Sequence, residues 1–287
     1  MKTGTLFIVA TPIGNLHDLS PRARKVLVDA DLIAAEDTRH TKRLLSHFGI
    51  KTPLIAMHEH NERDAVDGLI EKLLDNLSVA VVSDAGTPLV SDPGFRLVQA
   101  AHRHRIPVSP VPGPSAGVAA LSAAGLPTDR YCFEGFLPVK RKSRQDRLEA
   151  LQAESRSMIF FASVHRIRET LADLAQTFGN EREAFLAREL TKIHEQCVAG
   201  TLGALLQQVD NGTIPAKGEF AIVVGGSSEN APDARAVIVD RLLRELLAVL
   251  PAKQAVAIVA GVCGQSRNAV YREMLAITGQ RQAEDAS

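Results

Sequence analysis

The chain has 287 residues, enough for two packed domains and a small third one. Hydrophobic residues make up 45% and charged residues 23%, with 33 lysines and arginines against 33 aspartates and glutamates, so a globular protein is expected and any nucleic-acid surface must be local. Cys132, Cys197 and Cys263 stand far apart without C-x-x-C spacing, which argues against a disulfide framework or a zinc site, and no metal is expected.

Met1-Lys2-Thr3-Gly4 runs straight into an apolar strand, so no signal peptide is expected. No apolar run reaches the length of a membrane span, so the expected compartment is the cytoplasm, with no membrane partner. Apolar runs without polar alternation predict buried strands at 6–9, 32–35, 79–82 and 108–111. Helical patterns lie between them. One opens at Ser20-Pro21, one stops at Gly49 after Leu44 to Phe48, and two more fall at 61–77 and 95–104. This alternation predicts a mostly parallel α/β sheet.

Gly125-Leu126-Pro127-Thr128-Asp129 is a turn-rich seam. Beyond it, strands of a second sheet are expected at 131–136, 157–162, 185–188 and 220–224, with helices near 142–153, 164–178 and 201–209 and Gly179 as a C-cap. Gly225-Gly226-Ser227-Ser228 reads as a flexible segment, and 231–287 as all-helical. The expected domains are therefore 1–125 (α/β), 126–228 (α/β) and 229–287 (helical).

Glycine and proline gather at the carboxyl ends of the predicted strands, in Thr11 to Asp18, Ser83 to Gly94 and Pro112 to Gly117. Ligands of open parallel sheets bind beyond those ends, where small residues let backbone approach closely. One such loop alone could be an ordinary turn; three on one sheet edge point to a site. No G-x-x-x-x-G-K-[ST] loop is present and no G-x-G-x-x-G follows the first strand, which disfavours a bound triphosphate or dinucleotide.

The strings VATPIGNLHDLS, AAEDTRHT, SDAGTPLVSDPG, VPGPSA, EGFLPVKRKSR, ARELTKIHEQCVAGTL and KGEFAIVVGG, in this order, resemble the ribosomal RNA small-subunit methyltransferase I family of the tetrapyrrole methylase superfamily. The resemblance spans essentially the whole chain. It implies a methyltransferase using S-adenosyl-L-methionine, held between two α/β domains, that modifies the ribose 2′-oxygen of a decoding-region cytidine in 16S rRNA. It also implies a homodimer, with the 30S subunit as the expected substrate. Carried over by position, Ile13, Asp84, Gly86, Thr87, Ser115 and Ala116 would contact the cofactor. From the second domain Phe161 and Ala162, with Phe220 and Ala221, would close over its adenine. A strand phenylalanine such as Phe161 is also an ordinary core residue.

Methyl transfer from a sulfonium needs alignment and a place for the hydroxyl proton. Glu36-Asp37-Thr38-Arg39, His58-Glu59-His60-Asn61 and Arg188-Glu189-Leu190-Thr191-Lys192 hold the candidates. Glu36, Asp37 and Arg39 could position ribose and phosphate, the alternative being a structural ion pair near a helix start. Lys192 could be a base of lowered pKa, a phosphate contact or a solvated lysine. His58 and His60 fall on alternating sides of an extended segment and do not form a pair. Lys140, Arg141, Lys142, Arg144 and Arg147 suggest contact with the RNA backbone, against the alternative of a solvated face.

At the end of the chain, 251–262 and 266–275 read as helices joined by Cys263-Gly264-Gln265, either a helix-turn-helix or a small packing domain. Two rival functions remain open. A precorrin-type tetrapyrrole methyltransferase would lack the arginine-rich loop and the tail. A non-enzymatic RNA-binding protein would not need three small-residue loops on one sheet edge.

Overall fold

The computed structural model describes residues 3–58, 61–227 and 234–284. Glu59, His60 and Ser228, and the start of the segment expected to be helical from 231, lie outside the described residues.

Leu6–Val9 (β1), Leu32–Ala35 (β2), Leu54–Ala56 (β3), Val79–Val82 (β4) and Val108–Val111 (β5) form one parallel sheet in the order β3-β2-β4-β1-β5. Both faces are covered, which is why the inner strands β1, β2 and β4 read as unbroken apolar runs, whereas the edge strand β5 carries Ser109 and an exposed Pro110. Pro21–Asp29 (α1) and Thr38–His47 (α2) bury Ala23, Leu27 and Leu45 on one face. Glu62–Leu74 (α3) and Phe95–Arg103 (α4) bury Leu69, Leu73, Leu97 and Ala101 on the other. Ser20 caps α1 by accepting the Ala23 N–H at 3.0 Å, with Pro21 at the first helical position. β3 has only three residues, too few to stand out in the sequence.

Tyr131–Phe136 (β6), Ser157–Ala162 (β7), Glu183–Arg188 (β8), Gln196–Thr201 (β9) and Phe220–Val224 (β10) make a second sheet in the order β6-β7-β10-β8-β9. Only β6 and β7 run parallel; the other pairings are antiparallel. Arg141–Ala150 (α6), Ile167–Phe178 (α7) and Leu202–Asp210 (α8) cover one face, with Leu148, Leu171, Leu174 and Leu205 at 0% exposure. Gly179 closes α7 at φ +92°.

The opposite face receives Ala116–Ala123 (α5), the helix that follows β5. Its Ala120 and Leu121 share a core with Ile159, Phe185, Ala187, Ala221 and Val223. Sequence patterning did not show α5, because its residues are apolar or small all round and carry no charged face. Gly117 of α5 lies beside Ile159, at a distance where even a Cβ would make an ordinary contact of 3.4 Å. A single helix thus ties the two sheets together, and the described parts of Met1–Gln152 and Arg156–Gly226 form one compact unit.

Ala153–Ser155 and the described part of Ser227–Ser287 form a second unit. Ala234–Leu247 (α9), Ala252–Cys263 (α10) and Arg267–Glu284 (α11) bury Val239, Leu243, Val259 and Val270 among themselves. Gly264, left-handed at φ +64°, ends α10, and the Ser266 hydroxyl accepts the Ala269 N–H at the start of α11. Among the described residues no helix is long and apolar enough to cross a membrane.

Candidate active site

The strand order places the carboxyl ends of β2, β4, β1 and β5 side by side. Main-chain bonds then join their loops. Thr11 N–H donates to the Gly86 carbonyl at 2.8 Å and Gly86 N–H to the Thr11 carbonyl at 3.1 Å. Thr87 Oγ1 donates to the Pro114 carbonyl at 3.0 Å. Gly86 sits at φ +83°, and a Cβ there would meet Ile13 Cγ2 at 3.3 Å. Ile13 is nearly buried, and Ser115 and Ala116 form the N-cap and first residue of α5, with no side-chain bond from Ser115 to the helix.

The loop after β4 turns through left-handed Leu89 (φ +71°) and Ser91 (φ +69°) before Gly94. Each such non-glycine residue costs on the order of 1–3 kcal/mol, which its surroundings must hold. The Glu62 carboxylate does part of this, accepting the N–H groups of Gly94 at 3.0 Å and Arg96 at 3.1 Å.

Glu36 and Asp37 leave β2 directly toward that loop. Asp37 N–H donates to Asp84 Oδ1 at 3.1 Å, and Asp84 N–H to Glu36 Oε2 at 3.4 Å. The Glu36 carboxyl is held above its ordinary range by burial and by the negative charges of Asp92, Asp84 and Asp37, against the Asp84 N–H bond. Asp92 is pushed up as well, by burial first and by Asp84, against a Ser83 hydrogen bond. Asp37 moves the other way. It caps α2, accepting the Arg39 N–H at 2.8 Å, and takes the Arg39 guanidinium at 3.1 and 2.7 Å, which holds its carboxyl far below the carboxylate range. The ion pair between Asp37 and Arg39 therefore exists, and Asp37 is a poor proton acceptor. Asp92 was not singled out in the sequence, although SDPG carried it.

The second sheet meets these loops at two points. Asn15 N–H donates to Thr191 Oγ1 at 3.1 Å, and a Cβ on Gly14 would overlap the Lys192 side chain. Gly135 in β6 lies against Ser91. Strand alternation divides the four residues expected around adenine. Phe161 and Ala221 face α5. Ala162 and Phe220 point their side chains into the α7–α8 core, where Phe220 is 3% exposed, so only their main chain is open to a ligand.

Lys192 is no base of lowered pKa. Burial works to depress it, but hydrogen bonds at 2.9 Å to Glu189 and 3.0 Å to Glu219 outweigh that and hold the ammonium above its ordinary range. The Glu189 carboxylate also accepts the Glu219 N–H and fills the space that a Cβ on Gly218 would need. This brace escaped sequence reading because Glu219 lies far along the chain.

The basic run divides too. Arg144 is 4% exposed: it pairs with Asp173 and donates to the carbonyls of Pro138 at 3.3 Å and Val139 at 3.0 Å. It is a buried brace, not an RNA contact. Arg147 forks onto Glu134, which leaves it engaged at the end of β6. Lys142 makes an exposed, solvent-screened pair with Asp146 that is easily exchanged. Lys140 and Arg141 are exposed. Three cations of the five are thus left to meet a phosphate backbone.

A parallel sheet with its strand-end loops bonded together, tied through one helix to a mixed sheet, defines a protein of the tetrapyrrole methylase class. Residues 5–206 match the family described as Tetrapyrrole (Corrin/Porphyrin) Methylases, and residues 232–278 match the RsmI C-terminal HTH domain. The fold is similar to that of diphthine synthase (TM-score 0.60, 17% identity, 77% of this chain and 90% of that one). It is also similar to uroporphyrin-III C-methyl transferase from Thermus thermophilus complexed with S-adenyl homocysteine (TM-score 0.53, 19% identity, 77% and 97%).

Ribosomal RNA small subunit methyltransferase I from Xylella fastidiosa is 52% identical over 93% of this chain and 98% of its own. The protein of that name from Pseudomonas aeruginosa is 50% identical over 98% and 100%. The chain belongs to the ribosomal RNA small subunit methyltransferase I family.

Proposed function

We propose that this protein transfers a methyl group from S-adenosylmethionine to ribosomal RNA, at the ribose 2′-hydroxyl of a cytidine in the decoding region of 16S rRNA. The observation that carries the chemistry is a carboxyl of raised proton affinity, Glu36, bonded to Asp84 where the joined loops meet. The family supplies the RNA. The same reading takes 16S rRNA within the 30S subunit as substrate and a cytoplasmic homodimer as the working form.

The donor set fits the cofactor. Gly86 admits close backbone approach, Asp84 offers a carboxylate to ammonium or hydroxyl groups, and Ile13, Phe161 and Ala221 offer apolar surface to an adenine. Thr87, Ser115 and Ala116, with the main chain of Ala162 and Phe220, complete the proposed contacts. Bound there, S-adenosylmethionine supplies an electrophilic methyl group on a sulfonium. Glu36 accepts the proton of the attacking 2′-hydroxyl, a role that contributes about 10²–10⁴-fold. Arg39, forked onto Asp37 yet largely exposed, orients a neighbouring phosphate with the donors that Asp37 leaves over. Lys140, Arg141 and Lys142 hold the RNA backbone.

The test is incubation of labelled S-adenosylmethionine with 30S subunits lacking the modification, followed by mapping. Label on one cytidine ribose is expected. Label on a nucleobase would overturn the reaction type.

A further inference from the structure

Strand β6 contains an irregularity that the site above does not use. Phe133 is in register with Ile159 and Phe136 with Phe161, while Gly135 stands opposite Phe160, so Glu134 is one residue too many. Gly135 is left-handed at φ +62°, and a Cβ on it would lie 3.1 Å from Ser91 Oγ. Two residues three apart on a regular strand face opposite sides of a sheet. Here the bulge turns both Phe133 and Phe136 onto the face of Phe161, the side that receives α5. Their rings stand edge-on to Phe161 with centroids 5.1 and 5.5 Å away. Phe133 lies beside Gly117 of α5 and keeps 36% of its surface exposed. Phe136 remains 60% exposed at the end of the strand.

The segment after Phe136 is held firmly. Leu137 is buried, Arg144 grips the carbonyls of Pro138 and Val139, and Arg166 donates to Pro138 at 2.8 Å. Asp173 anchors Arg144 from α7. Beyond this rigid corner come exposed Val139 and then Lys140, Arg141 and Lys142. An aromatic face beside a short cationic strip is how proteins hold single-stranded nucleic acid: rings take bases and cations take phosphates.

We propose that Phe136, aimed by the bulge at Gly135, is a stacking platform for a nucleobase of single-stranded RNA, with Lys140, Arg141 and Lys142 on the adjoining phosphates. The proposal rests on RNA being the substrate. The adenine of the cofactor is the competing occupant, and charge decides against it. S-adenosylmethionine carries a sulfonium and an ammonium against one carboxylate, so the cationic strip repels it, whereas the same strip attracts a polyanion. Phe161, deeper on the same face, is left for the cofactor.

The experiment uses the full chain and a single-stranded oligoribonucleotide carrying 2-aminopurine, whose fluorescence falls when it stacks. Wild type and Phe136→Tyr should quench it; Phe136→Leu and Phe136→Ala should not. In parallel, the KM for 30S subunits should rise by roughly 10- to 100-fold in Phe136→Ala, be restored in Phe136→Tyr, and leave calorimetric affinity for S-adenosylhomocysteine unchanged. Unaltered quenching and KM in Phe136→Ala would overturn the proposal. So would a loss confined to S-adenosylhomocysteine affinity, which would make Phe136 a cofactor wall. If wild type transfers no methyl to RNA, the functional reading fails separately, and the quench still reports on Phe136.

Discussion

Glu36 and Asp37 are adjacent in the chain, yet their proton affinities are driven apart. Asp37 has a guanidinium and a helix N-terminus to answer its charge, while Glu36 is half-buried among Asp92 and Asp84. Pairs of carboxyls separated in this way commonly divide the roles of proton acceptor and fixed charge. Glu36→Gln, which keeps an oxygen for the Asp84 N–H, should lower methyl transfer by about 10²–10⁴-fold with little change in cofactor affinity. Wild-type turnover should rise with pH through the raised Glu36 value, and the variant should lose that acid limb.

Stability should respond with the opposite sense. A carboxyl whose folded pKa is raised binds more protons folded than unfolded, so stability falls as pH climbs from the ordinary glutamate value of about 4.3 through the raised folded value. Thermal melts should show Glu36→Gln more stable than wild type at neutral pH, with the advantage fading below that window. A wild-type optimum unaffected by the substitution would remove Glu36 from proton transfer. Gly86 is the second residue to test. Valine there meets both the positive φ and Ile13, a strain of about 1–3 kcal/mol that should appear as weaker S-adenosylmethionine binding by calorimetry.

Among the elements, α6 is the most instructive. It begins in a run of cations, yet Arg144 turns inward with Leu148, four residues on, and both lie against α7. Breaking a buried pair leaves the partner charge stranded. Arg144→Ala should therefore cost about 3–5 kcal/mol in urea unfolding, whereas Arg141→Ser, at an exposed position, should stay within about 0.5 kcal/mol. Equal stability of the two variants would mean that Asp173 does not depend on its partner.

The sequence carried a signal for this inward turn: Arg144, Leu148 and Leu151 keep helical spacing on one face. Charge density concealed it. The inner parallel strands β1, β2 and β4, though only four residues each, were legible because burial on both faces writes itself as uninterrupted apolar residues. The three-residue β3, the edge strand β9 and the all-apolar α5 lack any such period. The loops that form the candidate site were legible from their glycines and prolines, but their partnerships were not. Glu36 meets Asp84, and Lys192 meets Glu219, only because of strand order and pairing that no local pattern encodes.

For the whole molecule, balanced charge has a consequence for RNA binding. With 33 positive and 33 negative side chains there is little long-range pull, so salt dependence should report local contacts alone. Replacing Lys140, Arg141 and Lys142 by serine should flatten the salt slope of single-stranded RNA binding by about 2, at roughly 0.7 per phosphate. Adding serine at Arg147 should change the slope little, since Glu134 already neutralises it. Parallel plots for wild type and the triple variant would assign the run to solvent.

The position of β1 bears on how the molecule is made. Leu6–Val9 is made before the other strands of its sheet, yet its neighbours are Val79–Val82 and Val108–Val111. A nascent chain that ends before residue 108 presents a hydrophobic strand with at least one open edge, a template for wrong pairing. Thr11 cannot find Gly86 until β4 has emerged from the ribosome, nor can Thr87 find Pro114 until β5 has followed. The grip on a methyl donor proposed for these loops is therefore among the last properties the first sheet acquires, and β1 is the strand of that sheet that most needs shielding while it waits.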